Sequence, residues 1–330
     1  MKLLENLTMQ IAPSGNEKNV RDLIIKESEG YVDEVTVDTL GNLILRKKGS
    51  GKKLMFSAHM DEIGLIATVI EEEGFVRFSN IGSVNPNTLR NVKVKFTNGA
   101  IGIVIEQSGE NADNTSKISD MYIDVFSSCK GNELNNVFVG DAATFAPNFD
   151  ACGDFISTKS LDDRIGCYIL IKAIKEIKNN KNDLYFVFTV QKELNSRGAK
   201  TAVNSVSPDY AITVDVTDCD DIPNGGKCGL KLGEGPAVKI KDGSIMSHPF
   251  IKNMIIDAAE ELGIKHQFEI VEKKGTDAGA IQTSGIGVVT GGISIPVRYL
   301  HTPCETANIN DANDAVKIIT ELVNNERYWL

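Results

Sequence analysis

No stretch of this chain approaches the roughly 18–20 consecutive apolar residues that a membrane-spanning helix needs. Positive charge is in deficit. Thirty-five Lys and Arg stand against 45 Asp and Glu, leaving a formal charge of −10, and this argues against nucleic acid or an anionic membrane as the main partner. Six cysteines, at positions 129, 152, 167, 219, 228 and 304, show no Cys-x-x-Cys spacing and read as reduced thiols. Internal repeats and low-complexity tracts are lacking too. Histidine occurs only four times, so the placement of each one carries weight.

What is present fits a two-domain α/β protein. A chain of 330 residues with 42% hydrophobic content is long enough for a full core. Met1-Lys-Leu-Leu-Glu-Asn-Leu7 reads as an amphipathic helix with an early acid rather than a signal sequence, and cytoplasmic location is expected. Ser14-Gly-Asn-Glu17 fits a capping box opening a helix through Ile25, with Ser14 as N-cap and Glu17 reaching back. Val32 to Val37, Asn42 to Arg46 and Leu54 to Ala58 read as strands.

From about Gly64 to about Asn148 the pattern changes to short strand-like runs separated by turns such as Asn98-Gly99, Ser108-Gly109 and Gly140-Asp141. Residues 65–150 therefore read as a small all-β, barrel-like domain. It is inserted into an α/β domain made of residues 1–64 and 151–330. Such a strand-rich insertion leaves open edges, which pairing with another subunit would cover. After Asp150 helix and strand alternate again. The near-continuous apolar run Leu184-Tyr-Phe-Val-Phe188 requires a sheet covered by helices on both faces.

Sites in open α/β sheets form beyond the carboxyl ends of strands. Three candidate ligands fall at such ends: His59, Glu193 and Asp215. Two more, Asp162 and His301, lie in loops. Imidazole and carboxylate donors suit Zn, Co or Mn. Five residues hold two ions only if one carboxylate bridges, and Asp162, just before a predicted helix, fits that place. Singly, each has a plainer reading: a histidine at a strand end is more often a hydrogen-bonded structural residue, and an Asp before a helix is by default an N-cap. The joint pattern outweighs them.

His59-Met-Asp-Glu-Ile-Gly64, Leu161-Asp-Asp-Arg-Ile-Gly166, Thr189-Val-Gln-Lys-Glu193, Val214-Asp-Val-Thr217, Gly275-Thr-Asp-Ala278 and Arg298-Tyr-Leu-His-Thr-Pro-Cys-Glu305 occur in this order along the chain. Together they resemble the tetrahedral, glutamyl or deblocking aminopeptidase family of co-catalytic metallopeptidases, also labelled endoglucanase or cellulase-M-like. The resemblance implies a mixed sheet sandwiched by helices and an inserted dimerisation domain. It implies one divalent ion on His59, Asp162 and Asp215 and another on Asp162, Glu193 and His301, with the carboxylate of Asp61 orienting the His59 ring. It also implies removal of N-terminal residues from short peptides by a water placed between the ions, and assembly into dimers or twelve-subunit cages. Asp277 falls in a Gly-rich loop, lining the site or holding that loop, and Ser244 in a loop expected near the substrate.

The chain departs from the family at one informative place. Lys192 stands where the family has the Glu that serves as general base, and Asn195 replaces a Gly. Beside two cations the lysine predicts weaker binding of the second ion. Three readings of Lys192 stay open. It leaves the hydrolase crippled, it acts as a neutral base itself, or Glu62 or Asp163 takes over the proton transfer. A non-catalytic metal-binding or assembly protein is the rival from another class. A carbohydrase is a poorer match, because glycosidases need paired acids in a sugar cleft and these acids look committed to metal.

Overall fold

The computed structural model describes residues 1–107, 116–126, 136–225, 229–272 and 275–329. The Ser108-Gly109 turn, Cys129 and Cys228 lie outside them. No described helix is long and apolar enough to cross a membrane.

The main body is built on an eight-stranded mixed sheet. Its strands are Glu34–Val37 (β1), Leu43–Lys47 (β2), Lys53–His59 (β3), Asp183–Thr189 (β12), Tyr210–Asp218 (β13), Ala237–Lys241 (β14), Gln267–Ile270 (β15) and Val289–Val297 (β16). Their spatial order is β1-β2-β12-β3-β13-β16-β14-β15. The four central strands β12, β3, β13 and β16 run parallel. Successive side chains of a strand point to opposite faces, and both faces here are covered. Leu54, Phe56, Phe186 and Phe188 enter one core, while Met55 and Val187 enter the other.

The first core is closed by helices Lys2–Thr8 (α1), Lys18–Ser28 (α2), Leu161–Glu176 (α3), Pro249–Glu261 (α5) and Ile309–Asn324 (α7). On the opposite face lie Arg197–Val206 (α4) and Asp277–Gln282 (α6). Phe56 and Phe186 stack at 5.4 Å between ring centroids with no exposed surface, and burying each ring contributes about 1.5–3 kcal/mol. The architecture is thus the helix-covered sheet expected from the apolar runs, with the mixed strand directions that the resemblance implies.

The second unit is a barrel. Gly64–Ile70 (β4), Val76–Ile81 (β5), Lys93–Phe96 (β6), Ile101–Glu106 (β7), Met121–Asp124 (β8) and Ala142–Phe145 (β9) close on themselves in the order β4-β5-β8-β7-β6-β9. Val76, Phe78, Val94, Phe96, Val104 and Ile123 fill its interior. Closure corrects one expectation: the described strands form a closed barrel, in which each strand has two neighbours, so open edges among them supply no reason for subunit pairing. Phe149–Cys152 (β10) and Phe155–Thr158 (β11) then form a small sheet with Glu305–Asn308 (β17). These strands are short and half polar, and their sequences carry little alternation.

The expected capping box at Ser14 is also absent. Helix α2 begins at Lys18 with no side-chain cap. The Ser14 hydroxyl instead donates to Asp61 Oδ2 at 2.6 Å, and Glu17 Oε1 accepts from the backbone N–H groups of Gly15 and Gln191. Buried partners beside the sheet ends win over a local cap.

Candidate metal centre

The parallel register brings the site together. Thr189 of β12 pairs with His59 of β3, and Thr213 of β13 pairs with Ser57 of β3. The carboxyl ends of three neighbouring strands therefore share one edge of the sheet. His59 ends β3, Asp215 lies near the end of β13, and Glu193 follows β12 by four residues.

Asp162 sits between the others. Its backbone is non-helical although it opens α3, and the Asp162–Asp163 peptide is cis. It is no N-cap: its Oδ1 lies 2.8 Å from His59 Nε2 and its Oδ2 lies 3.1 Å from His301 Nε2. Asp215 Oδ1 is 3.9 Å from His59 Nε2, and Glu193 Oε2 is 3.8 Å from His301 Nε2. Two groups result, His59–Asp162–Asp215 and Asp162–Glu193–His301, in each of which the donor atoms lie within 4.8 Å of one another. All five candidate ligands are brought together.

The histidine rings are oriented from behind. His59 Nδ1 lies 3.1 Å from the backbone carbonyl of Asp61 and 3.3 Å from its Oδ1. The carbonyl and the carboxylate of Asp61 thus both face the ring nitrogen. That carboxylate is otherwise engaged, accepting from Lys192 N at 2.9 Å, Glu193 N at 3.0 Å and the Ser14 hydroxyl. His301 Nδ1 lies 2.8 Å from the carbonyl of Ser83, in the segment that follows β5. With each Nδ1–H donated to a carbonyl, each Nε2 faces the carboxylates, as metal-binding histidines require. The donor set fits divalent Zn, Co or Mn.

Burial and neighbouring charge compete at this centre. Burial and the Lys192 charge work against protonating His59, yet Asp162 and Asp61 hold its pKa well above the ordinary imidazole value. Burial likewise opposes protonation of His301, but Asp162 and Glu193 lift it to about 9. Burial would raise Asp162, while Lys192 and the two histidines hold it well below the usual carboxylate range. Burial pushes Asp215 up to about 6 and Glu305 up to about 8. Such an excess of buried carboxylates around two imidazoles is what a bound cation relieves.

Lys192 lies inside this cluster. Its ammonium is 3.0 Å from Glu193 Oε1, 3.3 Å from Asp162 Oδ1 and 3.5 Å from Asp215 Oδ1. Burial would lower its pKa, but these three carboxylates hold it well above the ordinary lysine value. The two other acids considered for proton transfer are occupied. Glu62 is held by Lys159, Ser160 and Arg164 and accepts from Ala12 N. Asp163 accepts from the N–H groups of His59 and Gly166.

Asp162, Glu193, Asp215, His301 and Lys192 open into a cleft of about 1070 Å³ whose wall includes Ser83, Lys239, Ser244 and Glu269, with His59 buried behind them. Ser244 lies in that wall as expected, with its hydroxyl turned to Asp242. Asp277 does not line it. It is the first residue of α6 rather than part of a loop, is buried, and accepts from Thr189 Oγ1 at 2.5 Å. Asp277 thus ties the start of α6 to the end of β12.

Several residues at the site had no assigned part in the sequence. Glu305 accepts from the backbone N–H of Asp162 at 3.0 Å and of His301 at 2.7 Å, holding the bridging carboxylate and one histidine to a common anchor. The spacing His301-x-x-x-Glu305 was the available signal. The Ser83 carbonyl gave none, because any residue carries one.

A helix-covered mixed sheet whose strand ends gather two His/carboxylate groups sharing one carboxylate defines a candidate metal-binding α/β protein. The chain belongs to the M42 glutamyl aminopeptidase family, whose profile matches residues 41–318. A candidate aminopeptidase of Acetivibrio thermocellus is 46% identical over 322 residues, 97% of each chain. The aminopeptidase APDkam598 from the archaeon Desulfurococcus kamchatkensis superposes with a TM-score of 0.93 at 35% identity, covering 98% of this chain and 94% of its own. The TET1 peptidase of Pyrococcus horikoshii, which assembles into a tetrahedron or a large octahedral shell, superposes at 0.87 with 33% identity and covers 98% of both chains.

Proposed function

We propose that this protein is a metal-dependent aminopeptidase acting on the N-terminal residues of short peptides, slowed by the lysine at its base position. The observation that carries the reading is Asp162, one oxygen toward His59 and the other toward His301, at the floor of a cleft. His59 and Asp215 would hold one divalent ion with Asp162, and Glu193 and His301 the other. A bound ion supplies Lewis acidity, polarising a peptide carbonyl and acidifying water.

The chain's own groups define the rest. Asp61, Ser83 and Glu305 fix the donors from behind, and the cleft wall admits a side chain and a few residues of peptide. None of the three groups considered as a base is free to act as one among the described residues. Lys192 is kept protonated by its three carboxylate neighbours, which disfavours the neutral-base reading. Glu62 is spent on two cations, and Asp163 on two backbone amides. The same observations favour, as second reading, a non-catalytic metal-binding homologue.

We place the protein in the cytosol as a homo-oligomer, a dimer or a cage. Support comes from the shells formed by the Pyrococcus horikoshii relative and from the exposed Phe138 and Val139, 67% and 65% accessible, just before β9 of the barrel. The deciding experiment is a panel of aminoacyl substrates and free and N-blocked peptides with Zn, Co and Mn. Slow turnover of free N-termini alone, rising in Lys192→Glu, fits the proposal. Hydrolysis by neither form, both loaded with metal, supports the non-catalytic homologue.

A further inference from the structure

The contacts of Lys192 are not spread evenly over the two candidate ion positions. Its ammonium reaches Oδ1 of Asp162 and Oδ1 of Asp215. These are the same two oxygens that approach His59 Nε2, at 2.8 and 3.9 Å. In the other group His301 Nε2 approaches Oδ2 of Asp162 and Oε2 of Glu193. The nearest contact of Lys192 with Glu193 goes to Oε1 and that with Asp162 to Oδ1, not to the oxygens nearest His301.

We propose that the Lys192 ammonium is a built-in cation that fills the His59–Asp162–Asp215 position, so that a divalent ion is taken only by the Asp162–Glu193–His301 group. The idea rests on the metal-dependent reading above and makes the centre mononuclear where its ligand set has room for two ions.

Three physical points support it. An ammonium has three N–H donors, and Lys192 donates to Glu193 and Asp162 while pairing with Asp215 at 3.5 Å. It is a compact point charge suited to the space of an ion, which a planar guanidinium would not be. Its main chain is also pinned, because Asp61 Oδ1 accepts from Lys192 N and Asp61 Oδ2 from Glu193 N. The lysine therefore leaves its carboxylates only by rotating its side chain into the cleft. A divalent ion using the same oxygens would face a desolvated like charge at contact distance, whereas one on Oδ2 and Oε2 keeps a carboxylate between itself and the lysine. The weaker position is then the one built on His59 and Asp215, not the one built on Glu193.

The test counts ions rather than turnover. The full-length chain is stripped with chelator and titrated with Co²⁺ and with Zn²⁺ by calorimetry, and ions per chain are measured after desalting. Wild type is expected to bind one ion, and Lys192→Met and Lys192→Ala two, with the second bound at least about 100-fold more tightly than any second ion in wild type. In the wild-type background, His301→Ala should lose the single ion and Asp215→Asn should keep it. That pair does not depend on how well the Lys192 variants fold.

Two ions of similar affinity in wild type would overturn the proposal. So would a single ion in folded Lys192→Met and Lys192→Ala, or an ion retained by His301→Ala and lost by Asp215→Asn. All three of those outcomes leave a metal-dependent protein standing. No ion in wild type or either lysine variant would overturn the metal-dependent reading as well.

Discussion

The Lys192 ammonium lies 3.3 Å from Oδ1 of Asp162, the carboxylate that reaches both site histidines. One residue thus carries positive charge into the place where a base is expected and onto the ligand on which both ion positions depend. Its effect on proton transfer and its effect on metal are separable, because Lys192→Glu changes both and Lys192→Ala only removes the charge.

Lys192→Glu should raise the rate of release of N-terminal residues by about tenfold or more, toward the 10²–10⁴ that a general base typically contributes. Lys192→Ala should bring a much smaller gain, because it frees carboxylates without supplying a proton acceptor. Steady-state assays at saturating Co²⁺ separate the two. Robust wild-type turnover that survives Lys192→Ala would mean that the base lies elsewhere.

Glu305 should matter to metal although it faces none. Its two oxygens hold the backbone N–H groups of Asp162 and His301, so Glu305→Ala frees the bridging carboxylate and one imidazole together. Metal affinity should fall by about 10–100-fold, the usual cost of losing a group that orients a ligand. Glu305→Gln, which keeps one strong acceptor, should fall less. Equal affinity in all three forms by calorimetry would remove Glu305 from the site's support.

How far the sequence disclosed this site depends on whether a side chain or the main chain does the work. His59, Asp162, Glu193, Asp215 and His301 were legible because strand ends and loop acids carry a recognisable residue type at each place, and the structure brings all five together. The covered sheet was legible in Leu184-Tyr-Phe-Val-Phe188 for the same reason. Ser14 and Glu17 misled, since their local spacing describes a helix cap while their partners, Asp61 and Gln191, lie far along the chain. The run of short strands read as barrel-like, while the closing pair itself, β4 with β9 across more than 70 residues, is set by no local pattern. The carbonyls of Asp61 and Ser83 were invisible because they belong to no residue type.

Gly82 should link the barrel to the centre. It adopts φ +74°, and a Cβ there would lie 3.0 Å from Glu193 Cβ and 3.0 Å from Ile63 Cγ2. Its neighbour Ser83 supplies the carbonyl that orients His301. Gly82→Ala therefore meets both a left-handed backbone that L residues avoid and a ligand side chain. Stability should drop by about 1–3 kcal/mol, and the Asp162–Glu193–His301 group should lose metal affinity along with it. A variant with reduced melting temperature but wild-type metal affinity would show that the contact with Glu193 relaxes without moving the ligand.

The pair Asp221 and Arg298 should make stability depend on acid in a defined window. Arg298 Nε and Nη2 donate to the two oxygens of Asp221 at 2.6 and 2.7 Å, and Arg298 lies three residues before His301. The guanidinium is the main reason that the Asp221 pKa falls from 3.8 to about 2 in the folded chain. A carboxylate whose pKa is depressed by folding adds stability that is complete above the unfolded value and is lost as pH falls through the folded one. Asp221→Asn should thus cost about 1–2 kcal/mol near neutral pH, a figure reduced for the pair's partial exposure. The gap to wild type should close between roughly pH 4 and pH 2. Denaturant unfolding of chelator-stripped wild type and variant across that range measures it directly, free of metal loss in acid. A gap that stays constant from pH 7 to pH 2 would mean that the loop before His301 is held by packing and not by this charge pair.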